Sequence, residues 1–267
     1  MLKDITLGQF YPAKSLVHSL DPRVKIILLI AFIVAVFLVK SVLWFIPVIA
    51  FLFIACKLSS LPFNLFLKGL KPLRFLLIFT FVLNLFFTTG KTPLLNLGFT
   101  VLSVEGTLNA ILYSFRLILL VLGSSLLTLT TPPVTLTDGL ERLFSPLRVI
   151  RFPAHELAMM MTIALRFIPT LLEEADKIMK AQTARGADFE TGNLFNRAKA
   201  MIPLMVPLFV SAFRRAGDLA MAMEARCYRG GEGRTRLHVL KMQKTDYLAL
   251  VATAALIGVV LLQGLFV

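Results

Sequence analysis

Only two cysteines, three histidines and one tryptophan occur in the 267 residues, and charged side chains make up just 16% of them. Cys56 and Cys227 lie far apart without C-x-x-C spacing. Neither a disulfide framework nor a zinc site is therefore expected, and both read as free thiols in a reducing compartment. The three histidines are His18, His155 and His238. His155-Glu156 opens an H-E-x-x-H pattern, but Met159 stands at its fifth position, so no zinc triad assembles. His155 is expected to cap a helix start or face water. Gly90-Lys91-Thr92 matches the end of a phosphate-binding G-x-x-x-x-G-K-[ST] loop, yet Leu85 replaces its first glycine. A G-x-S-x-G nucleophile elbow is missing. The first 20 residues hold no long apolar core, so no cleavable signal is expected. Without a convergent set of acid, base or metal-ligand residues, an enzyme within the membrane is disfavoured.

What the chain has in excess is apolar surface. Hydrophobic residues make up 57% and mean hydropathy is +0.82, whereas soluble domains keep roughly a quarter of their residues charged. The expected fold class is an all-α polytopic membrane protein. Five segments read as spans: Val24 to Val39, Val42 to Cys56, Pro72 to Thr89, Gly106 to Thr131, and Tyr247 to Val267. The first two are short for the roughly 20 residues of a perpendicular span. Together they are too long for one helix, so they read as a hairpin turning at Lys40. Asp21 is placed to cap the first span, with Pro22 at its first helical position. Arg23 and Lys25 then oppose the helix dipole, on what reads as an exposed turn.

The net charge of +13 is unevenly placed. Lys3, Lys14, Arg23 and Lys25 precede or open the first span, and only Lys40 follows it. Lys57, Lys68 and Lys71 lie before the third, and only Lys91 between the third and fourth. The long segment before the fifth span holds 17 of the 28 basic residues, and none follows that span. By the positive-inside rule the N-terminus and the long segment face the cytoplasm and the C-terminus lies outside. The charge thus answers to the membrane, and nucleic acid is not an expected partner. Three parts follow: residues 1–131 with four spans, a cytoplasmic module over 132–246, and a last span over 247–267.

That module begins with a short helical pattern from Thr137 to Leu147. From His155 to Arg185, Leu157, Met161, Ala164, Leu165, Ile168, Leu172, Ala175 and Met179 recur at three and four, predicting a long amphipathic helix. A second runs from about Asn196 to Arg226, with Ala212, Ala216, Leu219, Ala220 and Met223 on one face and Arg214, Arg215 and Asp218 on the other. Pro169, Pro203 and Pro207 lie inside these patterns, as static kinks or as hinges. The helices end alike, Ala181-Gln182-Thr183-Ala184-Arg185-Gly186 and Ala222-Met223-Glu224-Ala225-Arg226-Cys227. Each thus presents one arginine at its C-terminal tip. Cations are favourable there, and Gly186 is an ordinary stop signal. Two such tips in one module suggest docking into related pockets, for which the arginine fork suits carboxylates.

Carboxylates, the usual mark of an ion relay, are missing from the five spans, which weighs against the alternative of a self-sufficient secondary transporter or channel. Arg116 is the ionised group well inside a span. It contacts either the carbonyls of a neighbouring helix, with Asn84 or Asn109 as helpers, or another membrane subunit.

Tyr11-Pro12, His18 to Lys25, Ala164 to Pro169, Glu173 to Asp176, Ala181 to Phe189 and Glu224 to Tyr228 occur in order within this frame. In these blocks the chain resembles the T-component of energy-coupling factor transporters, the EcfT and CbiQ type. The resemblance implies a non-catalytic scaffold of a bacterial-type inner membrane. It would transmit the motion of two cytoplasmic ABC-type ATPases to a membrane S-component that captures a vitamin or metal ion. It would hold no cofactor of its own, ATP and Mg2+ being bound by the ATPases. Docking falls to Ala184-Arg185-Gly186 and Ala225-Arg226-Cys227. Pro169, Pro203, Pro207 and Arg116 become candidates for hinges or S-component contacts. Cys227 departs from the commoner glycine, which puts the local turn of that tip in question.

Overall fold

The computed structural model describes residues 10–88, 93–96, 101–187, 189, 193–231 and 240–266. Gly90-Lys91-Thr92, Asp188 and His238 lie outside these. Helices dominate, as composition demands: α1 (Leu16–Ser19), α2 (Pro22–Leu38), α3 (Phe45–Leu58), α4 (Phe63–Leu70), α5 (Arg74–Phe87), α6 (Val104–Thr130), α7 (Pro133–Phe144), α8 (Ala154–Ala184), α9 (Leu194–Ala225) and α10 (Lys244–Phe266). The expected all-α polytopic architecture is thus adopted. Its one departure among the described residues is a short antiparallel ribbon, β1 (Pro93–Asn96) with β2 (Val101–Ser103), in which Asn96 faces Val101.

Among the described residues, five helical stretches are long and apolar enough to cross a bilayer: Phe63–Phe87, Val104–Thr130, Ala154–Ala184, Ala198–Ala225 and Lys244–Gln263. This set differs from the five spans read from sequence. Helices α8 and α9 satisfy the measure because their charges are clustered, which leaves each a stretch of 18 residues with few of them, while α2 has 17 residues and α3 is also short. At 1.5 Å per residue α2 covers about 25 Å, less than the roughly 30 Å hydrocarbon core.

The chain divides into two compact units, one built on the described residues of Gly8–Gly139 and His238–Val267, the other on those of Leu140–Leu237. The core of the first is apolar side chains from four helices: Phe32, Ala35 and Val36 of α2, Phe45, Val48 and Leu52 of α3, Leu112 and Leu119 of α6, and Leu256 and Val260 of α10. Helices α2 and α6 meet closely at Gly123. A Cβ there would stand 2.7 Å from a ring carbon of Phe32, so the crossing demands glycine. Helix α5 has no buried residue, and Phe75, Ile78 and Phe79 are exposed, as suits a helix bathed in lipid or covered by a partner.

Both ends of α2 are held by side chains from far along the chain. At its start Asp21 accepts the Arg23 amide at 2.9 Å, making the expected cap, and pairs with the Arg23 guanidinium at 2.7 Å. Asp246, fully buried, accepts the Asp21 amide at 2.9 Å and the Gln243 amide at 2.7 Å. Lys25 is also buried, and its ammonium donates to the carbonyls of His18 at 3.1 Å and Thr130 at 3.0 Å. The expectation of an exposed turn at Lys25 is therefore corrected: the lysine folds back into carbonyls that need donors. The last span, Tyr247 to Val267, holds no carboxylate, but its helix begins three residues earlier than expected, at Lys244, and takes in Asp246.

At the other end of α2, Arg116 from α6 donates to the carbonyl of Val39 at 2.8 Å, and of Phe37 at 3.4 Å. Its guanidinium also lies over the rings of Phe37 and Tyr113, 5.3 and 5.5 Å from their centres. Gln263 from α10 donates to the Leu38 carbonyl and accepts the Lys40 amide. Arg116 thus makes the contact with a neighbouring helix's carbonyls, while Asn84 bonds instead to Thr80 of its own helix. These bonds matter because a helix terminus leaves carbonyls unpaired, and a bilayer core offers them no water.

Asp246→Ala removes the acceptor of two amides and leaves Lys25 without its nearby counter-charge. Breaking one partner of a buried ionic cluster costs about 3–5 kcal/mol. The expected outcome is a lower thermal unfolding midpoint in detergent, with Asp246→Asn, which keeps one acceptor oxygen, falling less. Equal midpoints for Asp246→Ala and wild type would contradict the assignment.

Candidate functional site

Helices α8 and α9 carry the residues singled out in the long basic segment. Both are built from good helix formers such as Ala, Leu, Met, Glu and Lys. Their lengths of 31 and 32 residues match the periodic patterns to within two residues at each end. Pro169, Pro203 and Pro207 are exposed and lie inside continuous helix. A proline removes one backbone donor, and near Pro169 the Thr170 hydroxyl gives a bond to the Phe167 carbonyl at 2.8 Å.

The two helices run antiparallel. Glu174 of α8 meets Arg215 of α9 at 2.5 Å, and His155, earlier on α8, meets Tyr228, just past α9, at 3.2 Å. Between them lies an apolar groove lined by Ile163, Phe167 and Leu171 from α8 and by Ala216, Leu219 and Met223 from α9. Arg215 lines this groove too. It therefore does not share the outward polar face with Arg214 and Asp218, as periodicity suggested, but turns inward to Glu174.

His155 joins three segments. One ring nitrogen lies 2.9 Å from Glu141 of α7, and the other 3.2 Å from the Tyr228 hydroxyl. A Cβ on Gly231 would stand 2.5 Å from the ring. His155 thus ties the chain leaving α9 to the start of α8, rather than simply facing water. Among the described residues no group of three or more His, Cys, Asp or Glu could hold a metal ion.

The arginine tips are alike in backbone as well as in sequence. Arg185 and Arg226 are both exposed. At the first tip the Gly186 amide bonds to the Thr183 carbonyl at 2.9 Å and the Ala187 amide to the Gln182 carbonyl at 3.0 Å. At the second the Cys227 amide bonds to the Glu224 carbonyl at 2.8 Å and the Tyr228 amide to the Met223 carbonyl at 3.0 Å. This is one Schellman turn made twice, each with the arginine at the cap and the next residue left-handed. Gly186 has φ +89 and Cys227 φ +55. Cys227 therefore keeps the turn that its sequence put in question, at the steric cost a Cβ incurs in that region.

Comparison with known proteins agrees with this architecture. The family model described as "Cobalt transport protein" (CbiQ) matches residues 13–237. An energy-coupling factor transporter transmembrane protein EcfT of Clostridium kluyveri is 51% identical over 267 residues, covering 100% of this chain and 99% of the relative. The protein of the same name from Acidaminococcus fermentans is 54% identical over 248 residues, 93% of this chain and 92% of its own. The chain belongs to the EcfT/CbiQ family of transporter transmembrane proteins. As an EcfT-family chain it is a multi-pass membrane component of an energy-coupling factor transporter. The Glu174–Arg215 bond and buried Asp246 were not foreseen from sequence. A local pattern does not say which of several charges on a helix turns inward.

Cys227→Gly should relieve about 1 kcal/mol at the second tip, since a left-handed residue with a Cβ costs roughly 1–2 kcal/mol. Hydrogen exchange at the Tyr228 amide is expected to slow several-fold, and Gly186→Ala to quicken exchange at Ala187. Unchanged rates in both variants would contradict the shared turn.

Proposed function

We propose that this chain is the non-catalytic coupling scaffold of its transporter, with Arg185 and Arg226 docking into two cytoplasmic ABC-type ATPases. The observation that carries the reading is the pair of exposed arginines in matching turns at the C-terminal ends of two antiparallel helices. A Schellman turn fixes the direction of the chain at each tip, so the guanidinium is presented on a stiff support. Its planar fork suits carboxylates in a groove on a partner. In this reading Ala184 and Gly186, and Ala225 and Cys227, flank the docked arginines.

The basic residues set the orientation: N-terminus and helix pair on the cytoplasmic side of a bacterial-type cell membrane, C-terminus outside. Residues 1–131 and 247–267 then form the membrane part and 132–246 the coupling module. ATP and Mg2+ belong to the partner ATPases. A membrane S-component would select the vitamin or metal ion. The exposed apolar stripe of α9, with Met205, Val206, Phe209 and Phe213, offers such a protein a surface. Pro203 and Pro207 beside that stripe, and Pro169 on α8, are where the helices could flex under load.

Arg185→Glu together with Arg226→Glu tests the docking. Truncating one partner of a buried charge pair at an interface costs about 2–5 kcal/mol, and reversal adds repulsion. Co-purification of the ATPases from membranes should fall to background while the variant stays in the membrane. Undiminished recovery of the ATPases would overturn the reading.

A further inference from the structure

We infer that the Glu174–Arg215 ion pair is the pivot about which α8 and α9 turn against each other. This rests on the docking reading above and adds to it how the two arginine tips are mechanically related.

The helix ends recur 41 positions apart, as Arg185 and Arg226, and the bonded residues Glu174 and Arg215 are also 41 apart. Glu174 and Arg215 are therefore equivalent positions of the repeat, one on each helix. In an antiparallel pair related by such a repeat, equivalent residues meet only where the two-fold relation passes through. The ion pair marks that point. Each arginine lies 11 residues beyond it, an arm of about 16 Å at the helical rise. Two engines acting alike on the tips would then work through arms of equal length.

The chemistry around the pair suits turning. Arg215 and Glu174 are about one-third and one-quarter exposed, meeting at 2.5 Å, so the bond is shielded from full hydration and holds one point fixed. Beside it the groove is apolar, and α9 contributes the small side chains of Ala212, Ala216 and Ala220. Small apolar surfaces slide with little directional preference, unlike a bonded charge pair. Glu174 and Arg215 are thus positioning residues that act through the docked arginines.

Spin-label distances test the pivot without knowledge of the transported substrate. In a Cys56→Ser, Cys227→Gly background, co-purified with both ATPases, labels go on Thr183→Cys with Glu224→Cys, and separately on Lys177→Cys with Asp218→Cys. All four positions are exposed. The first pair sits nine residues beyond the pivot on each arm and the second three. Between the nucleotide-free state and Mg-ATP with vanadate, the distance change at the outer pair should be about threefold that at the inner pair, since arms scale with helical rise. Glu174→Gln or Arg215→Gln should abolish that gradient while the ATPases still co-purify. The swap Glu174→Arg with Arg215→Glu should restore it. Equal changes at both label pairs, or no change in an assembled complex, would overturn the pivot alone. So would a threefold gradient that survives Glu174→Gln. Failure of the ATPases to depend on Arg185 and Arg226 for assembly would overturn the docking reading, and the pivot with it.

Discussion

The bilayer supplies no hydrogen-bond partner to a helix end, and the membrane unit is arranged around meeting that demand for one short helix. Helix α2 sits among α3, α6 and α10, and its 17 residues bring both termini within reach of its neighbours' side chains. Asp246 and Lys25 hold the entrance, and Arg116 and Gln263 hold the exit. The charges of a chain so poor in charge are thus placed where backbone groups would otherwise go unpaired. Gly123, pressed against Phe32, shows how tightly α6 must approach for Arg116 to reach its carbonyls.

The same economy explains why basic residues near α2 serve two ends. Arg23 and Lys25 contribute to the charge asymmetry that favours one orientation. Arg23 also completes the Asp21 cap, and Lys25 satisfies two carbonyls on either side of the helix start. A cation at a helix N-terminus is unfavourable toward the dipole by about 0.3–1 kcal/mol. The hydrogen bonds to carbonyls that lack other donors outweigh that term, because charge-assisted bonds are worth about 1.5–3 kcal/mol.

The helix pair works by a different principle. Its ends are defined not by burial but by turn geometry, and that geometry tolerates cysteine where glycine is easier. What the two tips share is the backbone course that aims the arginine. In the proposed docking, a groove on a partner would read that direction and charge. In the proposed reading, the apolar surface exposed along α9 would be the face turned to a partner.

The sequence by itself determined which segments are helical and where the long ones stop. Helical periodicity and a Gly or Arg stop signal act within a turn or two, and α8 and α9 follow them closely. The resemblance to transporter T-components was likewise legible, because its blocks are local strings. Only tertiary structure decided that Asp246 closes on Asp21, that Arg116 serves α2, and that Arg215 turns to Glu174. Those choices join residues between 41 and 225 positions apart, and the period of a single helix says nothing about which neighbour will lie against it. Burial of a charge is decided by that neighbour, since a carboxylate or guanidinium leaves water only where another group is already placed to receive it.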